Sequence, residues 1–342
     1  MDNVIILIFV SVIISLLITP VVKKIAIKLN VVDIPRDNRK IHSKPMPLLG
    51  GVAIYLPFIL LTFIKSSPLT NAEIGIALGA TIIMIGGILD DKWELKPYQK
   101  LFFQLLAAVV LIIMGSSIKM IANPFTDHVS YLDMGYWTVP ITIVWVVGIT
   151  NAMNLIDGLD GLSSGVSLIS TITIFIIAVT KDRNSAMYLT AILMGSIAGF
   201  LPYNFNPASI FLGDTGAQLL GFLLAAISME GAIKSATIFS VVVPILTMGL
   251  PIFDTVFAII RRKVNGKPIM EADRGHLHHR LLDLGFTQKQ AVLVMYTISA
   301  LLSAMAIFSV QLTSFASYYL LLVVMILIGI ICWRFGFFKH KD

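Results

Sequence analysis

Long apolar runs alternate with short polar breaks along the whole chain. Runs of the length that crosses a hydrocarbon core of about 30 Å fall near residues 4 to 22, 48 to 64, 72 to 89, 98 to 115, 137 to 153, 162 to 179, 186 to 202, 214 to 229, 236 to 260, 290 to 310 and 315 to 333. They predict an all-α polytopic membrane protein with about eleven transmembrane helices, forming one integral membrane domain over residues 1–342. The eighth run opens on Gly213, Asp214, Thr215 and Gly216, and the ninth carries Pro244 and Pro251, so it should kink. Between the runs, residues 116–136 hold two short alternating pieces around Asn123, Pro124 and Asp127, which predict a short exterior β-hairpin. Residues 261–290 are the longest polar stretch. They read as an extended piece near 267 to 272, then a short amphipathic helix near 278 to 284 that ends at Gly285. Thr287 and Gln290 form a capping box that opens the next run.

Composition agrees: 57% of residues are hydrophobic, 13% are charged, and mean hydropathy is +0.90, too apolar for a soluble domain that must cover itself with polar groups. Basic residues set the orientation, because cytoplasmic loops carry the Lys and Arg excess. With the N-terminus outside, 20 of the 25 basic residues fall on the inner side, and the C-terminus is cytoplasmic. The first run lacks a basic leader and a small-residue cleavage site, so it reads as a retained helix rather than a signal peptide. A single cysteine, Cys332, excludes an intramolecular disulfide framework and thiol-based zinc sites. The net charge of +6 is mostly positive-inside bias, and attraction to anionic lipid heads or phosphate substrates is its second reading. No nucleic-acid module is present.

Threading the runs through a bilayer brings five carboxylates, Asp90, Asp91, Asp157, Asp160 and Asp214, to the cytoplasmic face, where catalytic loops are expected near 23–47, 90–100, 151–161, 203–215 and 261–290. An ionisable residue at membrane depth is costly and points to function. Asp90 and Asp91 are adjacent, so both ionise cheaply only beside a cation or a base; the structural alternative is a solvated loop start with Lys92 as counter-ion. Asn151, Asn154, Asp157 and Asp160 recur every third residue as a polar stripe on one helix side, and Gly158 and Gly161 allow its lower end to unwind. Asp214 lies in an inner segment without a basic residue, so it calls for a cation from outside the sequence, and oxygen ligands select a hard ion; it could equally cap the eighth helix. Arg274, His276, His278 and His279 place donors on one polar loop. A phosphate clamp suits them better than zinc, for which no fourth ligand is evident; a solvated basic loop is the bland alternative.

Taken together, the Gly50-Gly51 turn after Lys44, the Asp90-Asp91 pair, residues 151–161 and 204–216, and the 274–279 loop resemble, over nearly the full length, the polyprenyl-phosphate N-acetylhexosamine-1-phosphate transferases of glycosyltransferase family 4. The chain looks most like members that start teichoic acid or O-antigen type glycans on undecaprenyl phosphate. The resemblance implies Mg²⁺, with Mn²⁺ as the alternative ion, at Asp214 and Asn154. It implies Asp90, Asp91 and Asp157 at the catalytic centre, and Asp160, Asn204 and Phe211 in a uridine pocket. Lys44, Arg274, His276, His278 and His279 would contact substrate. A UDP-sugar donor, a polyprenyl phosphate acceptor and a homodimer follow as partners, in the bacterial plasma membrane.

Leu277 interrupts the three consecutive histidines of the muramyl-pentapeptide branch, which favours a GlcNAc donor over phospho-MurNAc-pentapeptide. Repulsion between a nucleotide diphosphate and a lipid phosphate makes charge neutralisation and in-line positioning the main catalytic tasks. Direct attack by the lipid phosphate is the expected route, with a covalent aspartyl-phosphate as its rival. An intramembrane aspartyl protease would need Gly at position 211, where Phe stands. An ion-coupled transporter would place its polar residues at the bilayer midplane.

Overall fold

A computed structural model describes residues 2–34, 45–65, 67–125, 130–233, 241–268 and 275–334. The polypeptide forms α1 (Asp2–Lys28), β1 (Val32–Asp33), β2 (Met46–Pro47), α2 (Gly50–Ile64), α3 (Asn71–Trp93), α4 (Pro97–Ile113), β3 (Met120–Ala122), β4 (Tyr131–Asp133), a 3₁₀ turn (Gly135–Trp137) and α5 (Thr138–Ile156). There follow α6 (Leu162–Thr180), α7 (Asn184–Asn204), α8 (Gly213–Ile233), α9 (Val242–Thr247), α10 (Gly249–Val264), α11 (Leu277–Asp283), α12 (Gln288–Ser309) and α13 (Ser314–Arg334). Within the described residues each apolar run is largely helical. Seven helices among the described residues are long and apolar enough to cross a membrane, and α2 and α4 are shorter apolar helices. The protein is an all-α polytopic membrane protein.

The ninth run is two helices rather than one kinked span. The break falls at Met248, between the prolines, and Pro251 sits in the first turn of α10, where its missing N–H costs no helical bond. The expected hairpin forms as β3 and β4, paired antiparallel with Ile121 opposite Leu132, and Tyr318 on α13 donates to the Ala122 carbonyl. A second short pairing, β1 with β2, was not anticipated; it sets Val32 opposite Pro47. The short amphipathic helix is α11, closed by Gly285 at φ 91°. The Thr287 capping box opens α12, with the Thr287 N–H donating to Gln290 Oε1 at 2.9 Å. Of the extended piece expected near 267 to 272, residues 269–272 lie outside the described residues.

The core centres on α8, where Leu219, Leu220, Phe222, Leu223, Leu224, Ala225, Ala226 and Ile227 are all fully buried. A helix apolar on every side belongs inside its bundle, and α3, α5, α6 and α2 pack around this one. Glycine permits the closest approaches: a Cβ on Gly51 would lie 2.5 Å from Gly216 Cα, and one on Gly87 2.4 Å from Thr215 Cα. These contacts draw α2 and α3 against the first turn of α8, as small residues do between membrane helices. The outer helices expose apolar side chains such as Leu17, Ile113 and Ile326, the expected surface toward lipid.

Candidate active site

The N-terminus of α8, the C-terminal ends of α3 and α5, and the start of α4 meet around a cavity of about 810 Å³. Asp90, Asp91, Asp157, Asp160 and Asp214 all line it, together with Lys100, Asn204, Phe211 and His279. All five carboxylates singled out in the sequence therefore share one chamber, although they come from three separate segments.

Lys100 corrects the expectation that Asp214 lacks a counter-ion within the chain. Its Nζ lies 2.7 Å from Asp214 Oδ2 and 2.5 Å from Asp90 Oδ2, bridging two carboxylates of different helices. Lys92, the sequence candidate for pairing with Asp90 and Asp91, instead stands over the Trp93 ring. Nor does Asp214 cap α8: it sits within the first turn, and Asp91 supplies the cap from α3. Asp91 Oδ1 accepts the Asp214 N–H at 2.8 Å, and Oδ2 accepts the Thr215 N–H at 3.3 Å and the Thr215 hydroxyl. Neighbouring aspartates thus do different work. Asp90 ends its own helix by accepting the Leu95 N–H at 2.9 Å, and its other oxygen meets Lys100.

A ladder of amides backs this centre. Asn151 Nδ2 donates to Gln104 at 2.7 Å, Gln104 Nε2 to Gln218 at 3.1 Å, and Gln218 Nε2 to Asp90 Oδ2 at 3.4 Å. Sequence reasoning missed Lys100, Gln104 and Gln218. The signal was present: Lys100 and Gln104 on α4, and Asp214 and Gln218 on α8, are each four apart and so share a helix face in otherwise apolar stretches.

Within the polar stripe, Asn154 hydrogen-bonds Asp214, while its buried Oδ1 has no hydrogen-bond partner. Asp157 ends α5, and burial, reinforced by Asp214, Asp91 and Asp160, holds its carboxyl well above the usual range. Asp160 Oδ2 accepts the Ala208 N–H and the Asn206 amide, both at 3.0 Å, and so fixes the loop after α7. The Asn204 side chain is engaged on both ends, accepting from Ser164 at 2.6 Å and donating to the Ile210 carbonyl at 3.1 Å. Phe211 is held through its backbone, which donates to Pro47 O and accepts from Gly50 N, so the Gly50-Gly51 turn supports the cavity wall.

Of the three histidines, His279 reaches the cavity and the other two lie behind it. His276 Nδ1 is 2.7 Å from Asp254 Oδ2, and His278 is buried with its ring 4.2 Å from that of His279. Burial first, then the neighbouring His279, pushes the His278 imidazole down to about 3. Lys44 and Arg274 lie outside the described residues.

The donors around Lys100 are oxygens, and the orphaned Asn154 Oδ1 beside Asp214 fits a hard cation. Among the described residues no group of three His, Cys, Asp or Glu side chains is arranged as a metal cage.

The sequence is also similar to those of known proteins. Residues 74–232 match the profile described as glycosyl transferase family 4. Over 341 residues, covering all of this chain and 94% of the relative, the protein is 40% identical to the probable undecaprenyl-phosphate N-acetylglucosaminyl 1-phosphate transferase of Bacillus subtilis. It is 33% identical over 270 residues, 78% of each chain, to the undecaprenyl-phosphate alpha-N-acetylglucosaminyl 1-phosphate transferase of Thermotoga maritima. It is 31% identical over 302 residues, 80% of this chain and 74% of the relative, to the decaprenyl-phosphate N-acetylglucosaminephosphotransferase of Mycobacterium tuberculosis. The chain belongs to glycosyl transferase family 4, among the polyprenyl-phosphate N-acetylhexosamine-1-phosphate transferases.

Proposed function

We propose that this protein transfers N-acetylglucosamine-1-phosphate from UDP-N-acetylglucosamine to undecaprenyl phosphate, giving the lipid-linked sugar diphosphate and UMP. The observation that carries the reading is the convergence of five carboxylates and Lys100 on one cavity large enough for a nucleotide sugar. Such a chamber repels both phosphorylated substrates until cations neutralise it, which is the central demand of phosphoryl transfer. The names of the relatives support the donor sugar and the lipid. Positive-inside bias supports an N-terminus outside, eleven spans and a site on the cytoplasmic face of the cell membrane. A role in the first membrane step of a cell-wall or surface glycan, teichoic acid included, extends the same reading.

In the proposed reaction an oxygen of the lipid phosphate attacks the β-phosphorus of the donor. The bond from that phosphorus to the bridging oxygen breaks, and UMP leaves with the electron pair. Asp214 and Asn154 would hold Mg²⁺, which when bound supplies charge neutralisation at the diphosphate. Lys100, between Asp90 and Asp214, adds a fixed positive charge beside the reacting phosphates. Burial, reinforced by its acidic neighbours, raises the Asp157 carboxyl well above the usual range and so disfavours a further negative charge where the substrates bind. Asp160 holds the loop that carries Asn206 and Ala208 along the cavity wall.

Purified protein in detergent, given UDP-N-acetylglucosamine, undecaprenyl phosphate and Mg²⁺, should release UMP and form lipid-linked sugar diphosphate. Asp214→Ala and chelation with EDTA should each abolish both products. Activity with a different UDP-sugar alone would keep the reaction class and move the branch. Silence with every UDP-sugar in a folded preparation would sink the proposal.

A further inference from the structure

Asp254 is the one acidic residue of the ninth apolar run, buried in α10, and it lines no part of the cavity. A carboxylate at that depth is costly unless its oxygens are fully used. Both are. Oδ2 lies 2.7 Å from His276 Nδ1, and Oδ1 accepts the Leu277 N–H at 2.9 Å. Leu277 opens α11 and His276 is its N-cap, but the His276 side chain makes no capping bond. Asp254 therefore caps α11 from another helix. A carboxylate facing Nδ1 also selects the Nδ1-protonated imidazole, because the deprotonated nitrogen would set lone pair against lone pair.

From that anchor the contacts run toward the cavity. The His276 ring stacks on His278 with centroids 5.8 Å apart and planes 10° apart, and His278 packs on His279, which lines the chamber. Behind the segment there is no room to shift: a Cβ on Gly275 would lie 2.2 Å from Arg261 Cζ, and Arg280 Nε donates to the Gly275 carbonyl at 3.1 Å.

We infer that Asp254 is the positioning residue of the histidine segment, setting both the tautomer of His276 and the start of α11, and through them the place of His279 on the wall of the cavity that takes the UDP-sugar. The inference rests on the reaction proposed above. Asp254→Asn is the near-isosteric test, since one oxygen can still accept from Leu277 while the amide group turns a donor toward His276. We expect kcat/KM to fall about 10- to 100-fold, the range for residues that orient a functional histidine from behind. The loss should appear in KM for the UDP-sugar, with KM for the lipid phosphate unchanged. His276→Gln should show the same split, and the double variant should be no worse than the weaker single one. Additive losses, or equal movement of both KM values, would overturn the role.

A second arm does not need turnover. In protein labelled with ¹⁵N-histidine, wild type should show an Nδ1-protonated imidazole that disappears in both Asp254→Asn and His276→Gln. Its persistence in Asp254→Asn overturns the inference whatever the activity. Wild-type protein that turns over no UDP-sugar counts against the proposed reaction, and the tautomer then decides Asp254 alone.

Discussion

Gly158 and His278 touch so closely that a Cβ on Gly158 would lie 2.4 Å from His278 Nε2. The contact joins the end of the polar stripe to the histidine segment, two motifs 120 residues apart in sequence. Gly158→Ala should push α11 outward and carry His279 with it. Misplacement of about 1 Å can cost about 10²-fold in rate, so kcat/KM should drop by about that factor. Overpacking should lower stability by about 1 to 3 kcal/mol. Steady-state UMP release with a thermal melt in detergent checks both, and an unchanged kcat/KM would show that the histidine segment adjusts freely.

The same burial makes His278 a source of acid sensitivity. Its folded-state value is pushed down to about 3, against 6.5 for the free imidazole. The unfolded chain thus binds a proton between those values that the folded chain refuses, and stability falls as pH drops from 6.5 toward 3, by up to about 1.4 kcal/mol per pH unit. Above 6.5 both states are neutral and the contribution is flat. Melting temperatures from pH 8 to 4.5 should therefore fall more steeply for wild type than for His278→Phe, and parallel curves would remove His278 as the cause.

Lys100 offers a direct test of the charge arrangement. Lys100→Gln keeps a polar group between Asp90 and Asp214 but deletes the charge that now bridges them. Loss of a fixed charge beside a reacting phosphate costs about 10²- to 10³-fold in kcat. Lys100→Arg should recover part of this, because a guanidinium fork cannot reproduce an ammonium's contacts at 2.5 and 2.7 Å to two separate helices. UMP release measures all three proteins under one Mg²⁺ concentration, and a Gln variant near wild-type rate would make the bridge peripheral.

The helices were legible because an apolar run long enough to span a bilayer must satisfy its backbone internally, and a helix does so without a partner. The break at Met248 was half legible, since two prolines announced a bend but not its position. Asp90, Asp91, Asp157, Asp160 and Asp214 stood out for the same reason as the runs that hold them: a carboxylate in apolar sequence is conspicuous. Their partners were not. Lys100 reaches Asp214 across 114 residues, and Gln104 reaches Gln218 across the same distance. No local spacing encodes such a pairing, and Lys100 passed for one more interfacial lysine. Nor could spacing tell which of His276, His278 and His279 faces the cavity, because that depends on Asp254 and Gly158 in other segments.

Asp90 and Asp91, inseparable in sequence, should separate in experiment. Asp91 spends its carboxylate on the first turn of α8, taking N–H groups from Asp214 and Thr215 as well as the Thr215 hydroxyl. A negative charge there also faces the positive end of the helix dipole. Asp91→Asn keeps one acceptor but turns an amide N–H₂ against donors, so it should cost about 1 to 3 kcal/mol of stability and disturb Asp214 with it. Asp90→Asn leaves the Leu95 N–H an acceptor and loses the bonds that the other oxygen takes from Lys100, which is partly exposed to water, and from Gln218 at 3.4 Å. Its stability cost should be the smaller of the two, because it leaves no backbone N–H of a helix's first turn facing an amide, whereas Asp91→Asn does, while its loss of UMP release should be severe. Thermal melts and turnover on both variants decide the assignment. If Asp91→Asn melts with wild type and Asp90→Asn does not, the division of labour between the neighbours is the reverse.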